Sequence, residues 1–352
     1  MQEALWKKCF EKRFGMKFAR NVSFISWKKA TWKKRFVERE RTNICWKEGQ
    51  CHPLHLTYNS HNDGVTDLVL NERSIVSAGY DRRIKWWSPQ TMQVTDSVLA
   101  HKGWITALSF CGDRTLASSS QDGTVKLWDM ESRLQLVAFD QRKWITAMSY
   151  NPTDQFLAAG DKDGDLHILD VEQSQKVGRL SGHWEDVTAC QWDRTSPLLV
   201  TGSNDRTLRC WDLRAPSPLL KTIKHLPAAV SGILPLSSTS IVASTINGQL
   251  IQWDLRDWNE KQWSSQFNVT CLAGAQLPGQ FFVGCPDGSV RSINAATMEE
   301  KYSWKVADCS VTSIVADDWK VVTATAEAMC VLDFRFKPLR DRTQRRIVKL
   351  QN

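Results

Sequence analysis

The chain has 352 residues, 42% of them hydrophobic and 24% charged, a composition that can bury an ordinary globular core. It contains no run of 18 or more apolar residues, and Met1 to Phe14 carries charges throughout, so neither a transmembrane helix nor a secretory signal is expected. The net charge of +8 belongs to the ends: residues 1–50 hold 14 Lys/Arg against 5 Asp/Glu, residues 335–352 hold 7 against 1, and the body between is left at −7.

Basic ends suit RNA, an anionic surface or an acidic protein, but an acidic body argues against nucleic acid as the main partner. Ten cysteines from Cys9 to Cys330 include no CxxC pair. They read as reduced, mostly buried thiols of a cytoplasmic or nuclear protein.

In chain order, Trp6, Phe10 and Phe14 recur every fourth residue, which predicts a helix over 5–14 ended by Gly15. Residues 26–44 lack Gly and Pro and place Trp32 and Phe36 on one face, which predicts a second helix. Trp46 to Gly49 reads as a linker, and Leu54 to Tyr58 as a short extended segment. The boundaries expected are a helical segment and linker over 1–50, a β domain over 51–334 and a basic tail over 335–352.

An internal repeat decides the β domain. Segments 77–87, 118–129, 158–170 and 201–212 align without gaps, and weaker copies follow at 243–254, 283–294 and 323–333. The markers are Asp81, Asp122, Asp163, Asp205, Asn247, Asp287 and Glu327, spaced 41, 41, 42, 42, 40 and 40 residues apart. Each unit reads as short strands joined by turns such as Asp122-Gly123 and Asn247-Gly248. A period near 40 with a closing Trp-Asp is the mark of a propeller blade.

With Trp128-Asp129, Trp211-Asp212 and Trp253-Asp254, and with His61, His101, His183 and His225 20 to 22 residues before their markers, the chain resembles the WD-repeat family over residues 54–334. The resemblance implies an all-β, seven-bladed WD-repeat β-propeller with a short α-helical N-terminal segment. It also implies a buried hydrogen-bonded chain in each blade. The complete sets are His61–Ser77–Asp81–Trp87, His101–Ser118–Asp122–Trp128 and His183–Thr201–Asp205–Trp211. Because these residues repeat with the blades and do not converge on one point, they read as structural, neither catalytic nor metal-binding. A buried polar chain stabilises only when every member is satisfied, so blades with partial sets are expected to be looser. Blade three has Asp140 in the histidine region and Leu169 for Trp, and blades six and seven lack both His and Trp. Residues 54–58 are expected to supply the outer strand of blade seven and close the ring.

In such propellers one face carries the loops leading into each blade's first strand and the turns between its second and third. There the sequence places Gly64, Trp104, Trp144, Asp186, Ala229, Asn268 and Ser310. Trp104, Trp144 and Trp184, with Tyr80, Arg82, Arg142 and Lys162 nearby, have the residue types of a protein-binding hot spot. The alternative is that each Trp packs over its own loop.

Leu5, Trp6, Lys7, Cys9, Phe14, Gly15, Ser26, Trp27, Lys28, Arg35, Asn43, Trp46 and Gly49 resemble the segment that follows the F-box in F-box/WD-repeat proteins. This resemblance implies a substrate receptor of an SCF-type ubiquitin ligase, which would contact a Skp adaptor and cullin if an F-box lies upstream of Met1. The four residues before Leu5 do not supply its leucine-proline start. Trp211-Asp212-Leu213-Arg214 and Trp253-Asp254-Leu255-Arg256 are similar to the box by which other WD-repeat proteins dock on a different cullin ligase. The competing expectation is that Arg214 and Arg256 pair locally or are solvated. Scaffolding without a ligase and RNA binding through the basic ends are the other readings. No Walker A loop, GxSxG, HExxH or GxGxxG in strand-to-helix context occurs, and Cys45, Cys51, His52 and His55 lack zinc spacing. No enzyme, cofactor or metal is expected, and the propeller is expected to be a monomer.

Overall fold

The computed structural model describes residues 2–14, 31–49 and 51–334, except 59, 72, 90, 194–196, 225, 238, 257–259, 264–267, 275–278 and 318. Gly15, Ser26, Trp27, Lys28, His225 and the 335–352 tail therefore lie outside the described residues, as do the side chains of Phe10, Phe14, Arg35, His52 and His55. Residue contacts divide the chain into two compact units, 1–54 with 332–352, and 55–331.

The first unit contains helices α1 (Gln2–Phe14) and α2 (Trp32–Glu48). Trp6 of α1 meets Phe36 of α2 at 5.5 Å between ring centroids, and Lys33 lies over the Trp6 ring. The second helix runs past its expected end near Ile44, because nothing breaks it before Gly49 at φ +65°. Trp46 is consequently a buried helical residue stacked on Phe334 at 3.7 Å, not part of a linker. Such stacking of two large rings anchors the helix end through their apolar area.

The 28 strands form seven four-stranded antiparallel sheets. Blade one is β2 (Val65–Leu70), β3 (Ile75–Gly79), β4 (Arg83–Trp87) and β5 (Val94–Leu99). Blades two to six repeat this plan, with β6 (Ile105–Cys111), β10 (Ile145–Asn151), β14 (Val187–Trp192), β18 (Val230–Ser237) and β22 (Cys271–Gly274) as their first strands. Blade seven contains β26 (Val311–Ala316), β27 (Lys320–Thr325) and β28 (Ala328–Asp333), and its fourth strand is β1 (His52–Tyr58). The expected closing segment is thus the outer strand of the last blade, and it removes the edge that β28 would otherwise expose.

First strands touch in a cycle, each against the next, with β26 against β2 completing it. The core is layered between blades. One cluster joins Ala117, Val125 and Leu127 of blade two to Ile145, Leu157 and Leu169 of blade three, and another joins Val200, Leu208 and Cys210 to Val230, Ile241 and Trp253. Neighbouring blades approach so closely that a Cβ on Gly160 or Gly202 would meet Val187 or Val230 of the next blade at 2.6 or 2.4 Å.

A second device was not read from the repeat. Register shifts follow the first residue of the first strand in six blades, at Val65/Asp67, Ile105/Ala107, Ile145/Ala147, Val187/Ala189, Val230/Gly232 and Val311/Ser313. Such a bulge re-aims the extra residue, here a Thr or Ser. The hydroxyls of Thr146, Thr188, Thr270 and Thr312 donate to the carbonyls of Val187, Val230, Val311 and Val65 in the following blade, at 2.6 to 2.8 Å. Between blades one and two, Thr66 makes no such bond. Asp67 Oδ2 instead accepts from the Leu108 amide at 2.8 Å.

Thr312→Val removes the hydroxyl clasp across the closing seam and leaves the Val65 carbonyl short of a donor. It should lower unfolding free energy by about 1–2 kcal/mol in urea denaturation. Conversion of the exposed Ser132 to Ala should stay within about 0.5 kcal/mol.

Candidate protein-binding face

In three blades the turns are fixed from inside by the same chain of side chains. His61 Nδ1 lies 2.8 Å from Asp81 Oδ1, its Nε2 lies 2.7 Å from Ser77 Oγ, and Trp87 Nε1 donates to that hydroxyl at 2.8 Å. In blade two, His101 lies 3.1 Å from Asp122 Oδ2 and 2.7 Å from Ser118 Oγ, and Trp128 donates to Ser118 at 2.8 Å. His183, Asp205, Thr201 and Trp211 repeat the pattern in blade four at 2.8 to 2.9 Å. One tautomer satisfies every member: indole to hydroxyl, hydroxyl to Nε2, and Nδ1–H to carboxylate. The carboxylates accept turn amides as well, Asp81 from Arg83 and Asp122 from Thr124.

Burial pushes the His101 and His183 imidazoles below the usual histidine value, against the opposing pull of Asp122 and Asp205. Burial raises the Asp81, Asp122 and Asp205 carboxyls, but hydrogen bonds from histidines, turn amides and, for the last two, Thr124 and Thr207 outweigh it. All three end below the usual carboxylate value.

Blade three corrects the expectation of a simple loss. Its aligned marker Asp163 is exposed and pairs with Lys143 at 2.6 Å, because no histidine is present to draw it inward. The buried carboxylate is Asp161, which accepts from the Asp163 and Asp165 amides and lies 3.0 Å from His167 Nε2. Asp165 takes Ser181 at 2.6 Å and also binds Arg179. A different network occupies the place of the missing one. Blade seven's marker Glu327 is exposed.

Above these turns lies the exposed face. Antiparallel pairing of first and second strands, such as Ile105 opposite Ser120, brings each leading loop beside its own blade's turn. The Gln121 amide donates to the Trp104 carbonyl and the Lys162 amide to that of Trp144. Trp184 is 85% exposed, Trp104 50%, Trp144 48% and Tyr80 41%. Tyr80 of blade one meets Trp104 of blade two edge-on at 5.2 Å, and Lys162 sits 4.4 Å above the Trp144 ring. Tyr80, Trp104 and Trp144 are thus steadied by partners and still open to solvent, and the Trp184 backbone amide donates to Asp205 Oδ2 at 3.1 Å. Sequence reading missed the exposed cations Lys102 and Arg206 on the same loops.

A backbone signal marks two arginines. Arg82 and Arg206 have φ of +64° and +61°, at the turn position where Gly123 and Gly164 have +83° and +88°. Arg142, in the loop leading into blade three, has +63°. A left-handed non-glycine residue costs about 1 kcal/mol and concentrates at functional sites. Of the two expected docking arginines, Arg214 pairs with Asp154 of blade three at 3.0 Å, and Arg256 pairs locally with Asp254 at 2.5 Å. Among the described residues no group of three or more His, Cys, Asp or Glu is placed to hold a metal, and no helix is long and apolar enough to cross a membrane.

Seven four-stranded sheets, a ring of touching first strands and turns braced by His, Ser/Thr, Asp and Trp make the chain a WD-repeat seven-bladed β-propeller. The WD domain, G-beta repeat profile matches residues 53–88 and 174–212, and the TEP-1 C-terminal beta-propeller profile matches 101–171. The chain is 28% identical to a CCR4-associated factor 4 homolog of Candida glabrata over 236 residues, covering 61% of this chain and 34% of that protein. Against the small ribosomal subunit protein RACK1 of Neurospora crassa it is 26% identical over 177 residues, 46% of this chain and 55% of the relative. Against the nuclear distribution protein nudF of Aspergillus niger it is 24% identical over 240 residues, 60% of this chain and 53% of the relative. The chain spans about a third to just over half of the length of these relatives. Their different names accord with a protein-binding scaffold whose partner is set by its surface.

Ser118→Ala orphans both the His101 ring nitrogen and the Trp128 indole, and should cost about 2–4 kcal/mol in chemical denaturation. The pH dependence follows from the signs. The folded imidazoles of His101 and His183 lie below the usual 6.5, so the unfolded chain gains protons first and stability falls as pH drops below 6.5. The depressed carboxyls Asp81, Asp122 and Asp205 add a further loss below their usual 3.8. Asp67 acts oppositely: burial raises it to about 6, against bonds from Leu108, Leu68 and Ser313, so the folded state holds the extra proton and gains stability between pH 6 and 3.8. Urea midpoints of Asp67→Ala should therefore fall more steeply than those of the parent across pH 6 to 4.

Proposed function

We propose that this protein is a non-catalytic recognition module of the cytoplasm or nucleus that binds a protein partner on the loop face of blades one to four. The observation that carries this reading is the group of exposed rings and cations there: the Tyr80–Trp104 pair, Trp144 under Lys162, Trp184, and the arginines 82, 142 and 206. Trp, Tyr and Arg supply large contact area and directed donors at interface centres.

Within that reading, the protein serves as a substrate receptor of an SCF-type ubiquitin ligase. The resemblance of the α1–α2 segment to the region after an F-box supports this assignment. The ligase chemistry then belongs to other subunits, and the propeller supplies specificity.

Trp104→Ala with Trp144→Ala should leave the melting temperature within a few degrees, since both rings are half exposed, and should reduce partner recovery in affinity purification by tenfold or more. Unchanged recovery with unchanged stability would overturn the loop-face reading. Arg82→Gly relieves the left-handed arginine, so it should raise stability by up to about 1 kcal/mol while weakening partner capture. Recovery of a Skp adaptor and cullin with a form that carries an F-box upstream of Met1, and not with the 352-residue chain alone, tests the ligase assignment separately.

A further inference from the structure

The central channel contains a feature that neither the blade chains nor the loop face uses. The residue that follows the Thr or Ser at the start of each blade is Asp67, Ala107, Ala147, Ala189, Gly232, Cys271 or Ser313, the third residue of the first strand in every blade but six, where it is the first. Six of the seven are uncharged, and the carboxylate stands alone. Asp67 Oδ1 accepts from the Leu68 amide at 2.8 Å and from Ser313 Oγ at 3.0 Å, while Oδ2 accepts from Leu108. These bonds clasp blades seven, one and two, but every donor is neutral. No Lys, Arg or His among the described residues forms an ion pair with it.

Holding a carboxylate partly buried without a counter-ion has a cost, and a serine or amide could accept comparable hydrogen bonds. The charge itself therefore needs an explanation. Asp67 lines a cavity of about 250 Å³ whose other walls include Ser231, Thr270, Cys271, Thr312 and Ser313. That cavity shares Ile233, Leu272, Ile314 and Val315 with a vestibule of about 490 Å³ at the far ends of the first strands. Val69, Leu70, Phe110, Leu234 and Leu236 line the vestibule, with Gln191 and Asp193 adding polar groups. A passage lined by aliphatic side chains and by exposed polar atoms in comparable measure thus leads to Asp67.

We propose that the channel binds a primary ammonium or guanidinium group on an aliphatic stem, the stem lying in the vestibule and the cation against Asp67. A carboxylate held by neutral donors alone gains from a cationic partner, and an aliphatic stem would cover Val69, Leu70, Phe110, Leu234 and Leu236 in the vestibule. The site is independent of the loop-face reading. Its pH behaviour follows from one group. Burial raises the Asp67 carboxyl to about 6, so the site is anionic at neutral pH and neutral in acid. The Cys271 thiol facing it from β22 is pushed up to about 12 by burial and stays neutral throughout. The neighbouring β3 and β26 carry no titratable side chain, β6 carries only Cys111, whose thiol burial raises, and Lys320 of β27 lies 3.9 Å from Asp317.

The test is calorimetric titration of the full chain with agmatine, with a blocked Gly-Leu-Arg-Gly peptide, and with butylurea, an uncharged analogue that lacks both of agmatine's cationic groups. Agmatine or the peptide should bind at one site, and butylurea at least about tenfold more weakly. Binding of the peptide alone points to a partner's arginine, and binding of agmatine alone to a free amine. Affinity should fall about tenfold for each pH unit below the Asp67 value, as ionisation becomes limiting. Asp67→Ala places in blade one the residue that blades two to four already carry, and should abolish binding while melting cooperatively. Leu236→Trp, which narrows the vestibule and leaves Asp67 intact, should weaken agmatine by about tenfold and provides the answer if Asp67→Ala does not fold. Absence of binding by both cationic probes, or binding indifferent to Asp67→Ala and to pH, overturns the proposal.

Discussion

A ring of seven sheets must close, and its closing seam is the constraint on which the other features rest. Two different bonds meet that constraint. On the outside, β1 comes from the start of the chain and pairs with β28, so the last blade has no open edge. Near the axis, the Thr312 hydroxyl reaches the Val65 carbonyl, as Thr146, Thr188 and Thr270 do at three other junctions. The bulge that interrupts the first strand in six blades aims the hydroxyls of Thr146, Thr188 and Thr312. A propeller blade on its own buries little apolar surface, because its core lies in the layer shared with the next blade. Closure consequently fixes the spacing of the loops above and the width of the channel within.

The turns set buried, hydrogen-bonded residues directly beside exposed ones. Asp81 points inward to His61, and Arg82 beside it is exposed at a positive φ. Asp205 and Arg206 repeat the arrangement. Buried members hold the backbone so firmly that an unfavourable conformation next to them persists. Blade three shows that the bracing can be rebuilt from other residues. His167 and Asp161 take over inside while Asp163 moves to the surface, and the neighbouring Lys162 packs on Trp144.

These features point to a protein that acts by holding others. The exposed rings cluster on blades one to four, and Ile246 is the exposed apolar residue of the corresponding turn in blade five. The helical unit at the N-terminus carries the resemblance to ubiquitin-ligase receptors, while the propeller carries the exposed rings and cations. Asp67 adds a chemically different element, an anion at the axis where the other blades have small neutral residues.

The sequence by itself determined the seven blades, their period, the three complete polar chains and the loop positions of Trp104, Trp144 and Trp184. Each of these depends on residues at fixed spacing within one repeat, where local turn chemistry and strand alternation dominate. The tertiary structure decided what joins one repeat to another. The threonine clasps, the Tyr80–Trp104 contact and the seat of Asp67 between blades seven and two link residues 24 to 247 positions apart. It also decided that Trp46 is a core residue on Phe334 and that Asp161, not Asp163, is buried in blade three. Their physical basis is burial against a distant segment, which periodicity within a repeat does not encode.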